Sequence, residues 1–396
     1  MCDMGGKSSV ETSSLWSVKF ILVILINLLN GAVGMMTVPL VTEYALALGA
    51  ELTLASTIAG LMSLTSLFVC PVAGVVSDRV SRKWLLVIAN IGYGLFLILH
   101  AFAGSPGALI VLRLLTGICF SFISVTSIAF ATAFIPQERM GEGLGYAALA
   151  NIIAQAAGPA LGIALSDRFG HGTAFAAAGI IAFICMAALI VLPYEEQKKP
   201  QEERKKLVFN DIFAVEFAGF MVLAALFSAG NGLVSTYLKT IANERSIANI
   251  SLFFTLYSIC MIIIKPITGK LLDKKGPYFI LFPSVVFAGL GMMVIGISYS
   301  LGLMLVASVF KALGQGNGTP SLQATAVKKL EKSRAGVATS TIQIGQNVGN
   351  AVAPILGSFV VKASGYETAF IGAGWVILIF GMLLVWMQYR KDRQVA

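Results

Sequence analysis

Residues 71–83 read PVAGVVSDRVSRK, and residues 266–276 read PITGKLLDKKG, a looser copy displaced by 195 positions. Pro71, Gly74 and Asp78 thereby meet Pro266, Gly269 and Asp273. The same offset sets Arg139 and Gly141 on Arg334 and Gly336, and Pro159, Gly162 and Gly170 on Pro354, Gly357 and Gly365. Further along, Thr173-Ala174-Phe175 falls on Thr368-Ala369-Phe370. Composition alone does not hold one offset over such a distance, so the chain is an internal duplication. Near its start, Asn30-Gly31 matches Asn231-Gly232 at an offset of 201, a change of register placed in the first connection.

Both copies lie between long apolar runs. Of 396 residues, 57% are hydrophobic and 12% charged, and the mean hydropathy is +0.86; no soluble domain is built this way. Breaking the chain at polar and Gly/Pro clusters leaves runs near 17–41, 53–77, 84–103, 107–133, 140–165 and 172–192, then near 212–238, 247–272, 278–299, 301–327, 335–362 and 367–388. Each approaches or exceeds the roughly 20 residues that a bilayer-spanning helix needs. The charged stretch PYEEQKKPQEERKKLVFND, 193–211, separates six runs from six. The expected fold is an all-α membrane protein of twelve transmembrane helices in two pseudo-symmetric six-helix bundles, residues 1–192 and 212–396, joined by a cytoplasmic linker, 193–211. Parallel halves of this kind characterise secondary transporters, whose substrate site lies between the halves near the midplane. Pro159, Gly162, Pro354 and Gly357 are equally what close helix packing requires, because small residues let backbones approach.

A net charge of +9 raises the question of nucleic acid, but the basic residues fall in alternate connections. They occupy the N-terminal tail, 79–83, Arg139, the linker, 270–275, 328–334 and the C-terminal tail. The opposite connections hold Arg168, Lys239, Arg245 and Lys362. By the positive-inside rule both termini are cytoplasmic. A plasma membrane, the inner membrane of a bacterium, is the expected location, with no nucleic-acid partner. The polar first 16 residues and the long run behind them read as an uncleaved first span rather than a signal peptide. The five cysteines are scattered, and His100 and His171 are far apart. No disulfide framework, metal site or cofactor is therefore expected. The chain lacks a G-x-x-x-x-G-K-S/T loop, which argues against direct ATP coupling.

Gly74-Val-Val-Ser-Asp78-Arg79-Val-Ser81-Arg82-Lys83 resembles the G-x-x-x-D-R-x-G-R-K loop signature of the major facilitator superfamily, with Ser81 in place of the second glycine. Gly269-Lys-Leu-Leu-Asp273-Lys-Lys-Gly276 is the looser second copy. Two more segments resemble the drug:proton antiporter branch. Arg113-Leu-Leu-Thr-Gly117 is similar to its R-x-x-x-G element, and Gly158-Pro159-Ala160-Leu161-Gly162 to the G-P-x-x-G core of its antiporter motif, with Ala154 and Ile163 replacing the flanking glycines. The resemblance implies that the loop after span 2 is a conformational lock in which Asp78 faces the start of span 11, near Arg334 and Ala335. A carboxylate suits the unpaired N–H groups of a helix N-terminus. Arg82 has Glu138 as a candidate partner and Asp273 is the second-half counterpart, so these four residues form the gating set. For Arg79 and Lys83 a topology signal is preferred, since exposed ion pairs contribute under about 1 kcal/mol.

Charged groups inside spans are costly and usually face a cavity or a partner. Three bases qualify: Arg113, Lys265 and Lys311. Two acids qualify as proton-coupling residues by scarcity: Glu43, near the outer end of span 1, and Glu216, near the inner end of span 7. Arg113 and Lys311 fall at nearly equal depth in the pseudo-symmetric spans 4 and 10. Lys265 lies nearer the cytoplasmic end, where it can pair with Glu216 or snorkel. Thr339, Gln343, Gln346 or Asn347, and Asn350 recur at helical spacing in span 11, and Asn151 and Gln155 match Gln346 and Asn350 at the offset of 195. With Asn27 and Asn30 in span 1, Asn231 in span 7 and Gln315 in span 10, they outline a polar cavity. The competing role is interhelical hydrogen bonding, worth about 0.6 kcal/mol each.

The sequence therefore reads as a secondary transporter working by alternating access, preferentially a proton-coupled exporter of a small organic molecule. The basic spans favour an anionic or zwitterionic metabolite. The candidate substrate-binding residues are Asn30, Arg113, Asn151, Gln155, Asn231, Lys311, Gln315, Gln343, Gln346 and Asn347. Its expected partners are that molecule, protons and the bilayer, and it is expected to act as a monomer. The alternatives are a multidrug exporter of lipophilic compounds, a proton symporter importing an organic anion, and a non-transporting membrane sensor. An enzyme would need a nucleophile, metal ligands or paired acids at depth, which the spans do not offer.

Overall fold

The computed structural model describes residues 16–136, 139–194, 218–329 and 335–395. Among these residues the regular structure is helical: α1 (Val18–Ala47), α2 (Leu52–Arg79), α3 (Arg82–His100), α4 (Pro106–Thr132), α5 (Met140–Phe169), α6 (His171–Val191), α7 (Ala218–Glu244), α8 (Ser251–Lys275), α9 (Tyr278–Ile297), α10 (Leu301–Leu313), α11 (Gln315–Lys329) and α12 (Ala335–Val395). Helix starts follow local chemistry. The Ser17, Ser105 and Ser300 hydroxyls accept the backbone N–H three residues on, and Pro106 opens α4, where its missing N–H costs nothing.

The twelve helices are not the twelve expected spans one for one. Ten helices are long and apolar enough to cross a membrane among the described residues, and the last of them is α12. At 61 residues a straight α12 would measure about 90 Å, three times the hydrocarbon core. Gly365, with φ 82° and ψ 171°, takes a conformation open to glycine without strain and folds α12 into two antiparallel arms, spans 11 and 12. Gly345 and Gln388 accordingly meet neighbouring positions of α7, Met221 and Gly219. Span 10 is the converse case. It is broken at Gly314 (φ −85°, ψ −89°) into α10 and α11, within a Gly314-Gln-Gly316-Asn-Gly318 run whose glycines weaken a helix. The count of crossings remains twelve.

α1 packs on α5, and α7 packs on the first arm of α12, equivalent pairs in the two halves. A Cβ at Gly158 or Gly162 would collide with the Ala32 or Met36 carbonyl oxygen, so these glycines let α5 approach α1 closely, the packing role anticipated for Gly162. Large apolar side chains such as Phe68, Ile88, Val191, Ile263, Phe359 and Ile379 are exposed, as a surface bathed in lipid requires.

The halves meet where α1 touches α7, α2 touches the first arm of α12, and α5 touches α8. One end of the bundle carries the α1–α2 and α3–α4 turns, Gly170 and Gly365 and is here called the Gly365 face. The other carries the end of α2 and is called the Asp78 face. At the Gly365 face the halves are bridged by polar contacts: Lys362 Nζ lies 2.7 Å from Glu51 Oε2, and the Ser56 and Tyr237 hydroxyls are 2.6 Å apart. At the Asp78 face Lys83 Nζ donates to the Ile190 and Leu192 carbonyls, and Tyr278 bonds Asp392, each within one half.

Candidate functional site

Lys311 follows from the α10 sequence LGLMLVASVFKAL, where it is the one charged residue. It is 4% exposed, and its surroundings supply what a buried ammonium needs. Nζ donates to Asn231 Oδ1 of α7 at 2.7 Å and to Gln315 Oε1 of α11 at 2.7 Å, and lies 5.0 Å from the centroid of the Tyr257 ring of α8. Two amide oxygens and an aromatic face substitute for water. The break at Gly314 leaves Gln315 only four residues from Lys311, so both belong to one crossing. Asn231 Nδ2 in turn donates to Asn350 Oδ1 at 3.2 Å, which ties the amide stripe of span 11 to the lysine. Tyr257 also packs with Ile152 of α5, so this cluster borders the other half.

Arg113 is treated in the opposite way. It is 1% exposed, the largest fully buried side chain described, yet Nε, Nη1 and Nη2 have no hydrogen-bond partner among the described residues. The same holds for other buried polar atoms of this half: the Tyr93 hydroxyl, Asn90 Oδ1 one turn before it on α3, and both amide atoms of Asn30. An unpaired buried guanidinium carries a desolvation cost of several kcal/mol. A guanidinium presents five N–H donors in a fixed fork, a need that ordered water or an anion can meet.

A third cluster was not anticipated. Lys239, counted from sequence among the loop bases, lies inside α7 and is 3% exposed. Nζ stands 2.9 Å from Glu43 Oε2 of α1 and 2.8 Å from Asp167 Oδ1 of α5, with Ser166 Oγ at 3.4 Å. Asn243, one turn further along α7, donates to the other Glu43 oxygen. Lys239 therefore joins its own half to two acids of the other half at the Gly365 face. The signal was present in the sequence, as an acid near the end of span 1 and a base near the end of span 7, two pseudo-symmetric helices.

The remaining candidates are dispersed. Asn151 is exposed, with Oδ1 facing Gly31 of α1, while Gln155, Gln346 and Asn347 are half-buried and Gln343 is exposed. Arg82 begins α3 and donates to the Ala129 carbonyl at 3.1 Å. Asp78 and Asp273 fall in the last two turns of α2 and α8, but their side chains, with Glu138 and Glu216, lie outside the described residues. Arg113 and Lys311 share no described partner.

The model of the family described as Major Facilitator Superfamily matches residues 23–245 and again 220–396. The chain belongs to that superfamily. Among curated relatives it is 25% identical over 389 residues to a multidrug resistance protein MdtG of Escherichia fergusonii, covering 92% of this chain and 93% of that protein. It is 24% identical over 351 residues to MdtG of Proteus mirabilis, covering 84% and 85%. Among solved structures, the nucleoside transporter NupG superposes with a TM-score of 0.75 at 12% identity over 94% of this chain and 99% of that one. A POT family transporter in complex with 5-aminolevulinic acid superposes with a TM-score of 0.78 at 13% identity over 92% and 95%. These structural likenesses establish the fold. As a superfamily member the chain is a multi-pass membrane transporter, and the ion cluster at the Gly365 face joins its two halves.

Proposed function

We propose that this transporter is a proton-coupled exporter of a small anionic or zwitterionic organic molecule, with its termini and the 193–211 linker cytoplasmic and the Gly365 face outward. Arg113 carries this reading: a fully buried guanidinium whose three nitrogens have no partner among the described residues. A bound cation at that position would meet positive charge. Two unit charges 4 Å apart interact by about 4 kcal/mol at an effective dielectric near 20, a bias of about a thousandfold. A carboxylate instead completes the fork with paired, charge-assisted hydrogen bonds. Lys311 holds the second pole less tightly, because its donors are shared with Asn231 and Gln315, and the amides of α5 and span 11 orient the molecule.

Export and proton exchange are supported by the resemblance of Arg113–Gly117 and Gly158–Gly162 to the antiporter branch and by the names of the curated relatives. Glu43 and Glu216 are the coupling candidates, and Asp78, Arg82, Glu138 and Asp273 the lock at the cytoplasmic face. The relatives' names favour a second reading, export of lipophilic drugs by a pocket in which both bases are structural. Purified protein in liposomes decides between them. Uphill movement of carboxylate compounds on an imposed pH gradient, lost in Arg113→Gln, supports the first; movement of lipophilic cations insensitive to that change supports the second.

A further inference from the structure

We propose that the C-terminal half carries, at the Asp78 face, a binding site for the phosphodiester headgroup of an anionic phospholipid, formed by the last turns of α12 and the α8–α9 turn. The proposal needs only the membrane-spanning fold and is independent of what the transporter carries.

The site follows from a difference between the repeats. At the offset of 195, Lys83 falls on Tyr278, Trp84 on Phe279 and Val191 on Trp386. In the N-terminal half the Lys83 ammonium donates to the Ile190 and Leu192 carbonyls, and α6 ends at Val191. Basic side chains satisfy the last carbonyls of a helix in this way. Tyr278 brings no charge to the same position. Its hydroxyl donates to the Asp392 carboxylate, and its ring centroid lies 5.2 Å from that of Tyr389. The helix here runs on past Trp386 to Val395, about two and a half turns more. Those turns set Arg390, Lys391 and Arg393 on the same rim as Lys274 and Lys275 of α8, all of them exposed.

The outer face of this arm changes character within one turn. Ile379, Leu383, Trp386, Arg390 and Arg393 succeed one another at helical spacing, and each is exposed. The apolar members lie where acyl chains run, Trp386 takes the interfacial position, and the bases follow one and two turns beyond. A phospholipid presents the same order, tails and then phosphate. The bases are also seated. Arg390 Cζ lies 4.2 Å from the Trp386 ring centroid, Arg393 Cζ 4.8 Å from that of Tyr389, and Lys275 Nζ 4.3 Å from that of the exposed Phe279. A guanidinium held over a ring engages its face and leaves its N–H edge to pair with two phosphate oxygens. Tyr278 holds Asp392, the acid described on this rim, against the protein. A topology signal needs charge alone, whereas a headgroup needs this seating and this register with the lipid-facing residues.

The test measures lipid retention on the full chain by native mass spectrometry, with phosphatidylglycerol and phosphatidylcholine of matched acyl chains. Wild type should retain the anionic lipid preferentially. The double variant Arg390→Gln, Arg393→Gln should hold it about thirtyfold more weakly, the scale of two bases beside an anionic surface, with phosphatidylcholine little changed. Arg390→Lys with Arg393→Lys should recover most of that binding, which separates loss of the site from misfolding. Lys19→Gln, which removes an exposed base at the same face outside the site, should leave the preference intact, and millimolar inorganic phosphate should not displace the lipid. Equal retention of both lipids by wild type, an unchanged preference in the double glutamine variant, or an equal loss in Lys19→Gln overturns the proposal. So does a lysine pair that binds no better than the glutamine pair, or displacement by inorganic phosphate, which would mark a site for free anions. These readings need neither a substrate nor a proton gradient, so they stand apart from the tests of the exporter reading.

Discussion

Arg113 and Lys311 occupy corresponding crossings of the two halves, and their surroundings differ more than their depths. In the C-terminal half the ammonium is met by the Asn231 and Gln315 oxygens and the Tyr257 ring. In the N-terminal half the guanidinium, Tyr93, Asn90 and Asn30 leave polar atoms without partners among the described residues. Burying a cation is paid for locally in one half and left outstanding in the other. At the repeat offset of 195 Arg113 falls on Ser308, one turn before Lys311, so the two bases share a depth but not a repeat position, and only the second has protein partners for its donors among the described residues.

The largest effect that would break this comparison is expected at Arg113. Arg113→Gln should weaken carboxylate binding about a hundredfold, the scale of a lost bidentate, charge-assisted contact, read by calorimetry on purified protein. An equal loss in Lys311→Gln would remove the asymmetry; the expected loss there is about tenfold, because that base already spends its donors on the protein. Asn231→Ala should follow at about threefold. It should add little to Lys311→Gln, since both act through one hydrogen-bonded group, and a double-mutant cycle in binding measures the coupling.

The exposed pair Glu51–Lys362 sets the lower end of the scale. The hydrogen bond from Lys362, and then its charge, hold the Glu51 carboxyl below the ordinary carboxylate range. A depressed folded-state value means that the pair's contribution is present above that range and fades as pH falls through the depressed value. Glu51→Gln should therefore change thermal stability barely at neutral pH and not at all in strong acid, as exposed pairs generally do. A scan of melting temperature against pH for both proteins checks it.

Much of the fold was legible because apolar length, alternate basic loops and a fixed repeat offset are long-range signals. The departures have local causes. Span 10 breaks at Gly314 because a glycine-rich run cannot hold a continuous helix, and apolarity alone does not reveal that. Lys239 was misplaced because a hydrophobic run was ended at Leu238, whereas α7 continues through the buried Ile241 and Ala242 to Glu244 and the lysine before them finds acids on α1 and α5. Arg113 and Lys311 were legible as buried bases from their position in the spans. Which of them is satisfied was not, since that depends on Asn231, Gln315 and Tyr257 converging from three helices. Tyr93 and Asn90 passed unnoticed because a lone tyrosine or asparagine in an apolar helix gives no periodic signal.

The central proposal, that Arg113 is the anion subsite of the N-terminal half, is tested most directly by binding of a matched series of cationic, neutral and carboxylate ligands of one hydrophobic scaffold to the wild-type protein and to Arg113→Gln. The account predicts that the carboxylate binds best to the wild type and that the preference disappears in the variant. A wild type that prefers the cation, or a carboxylate affinity unchanged by Arg113→Gln, would contradict it.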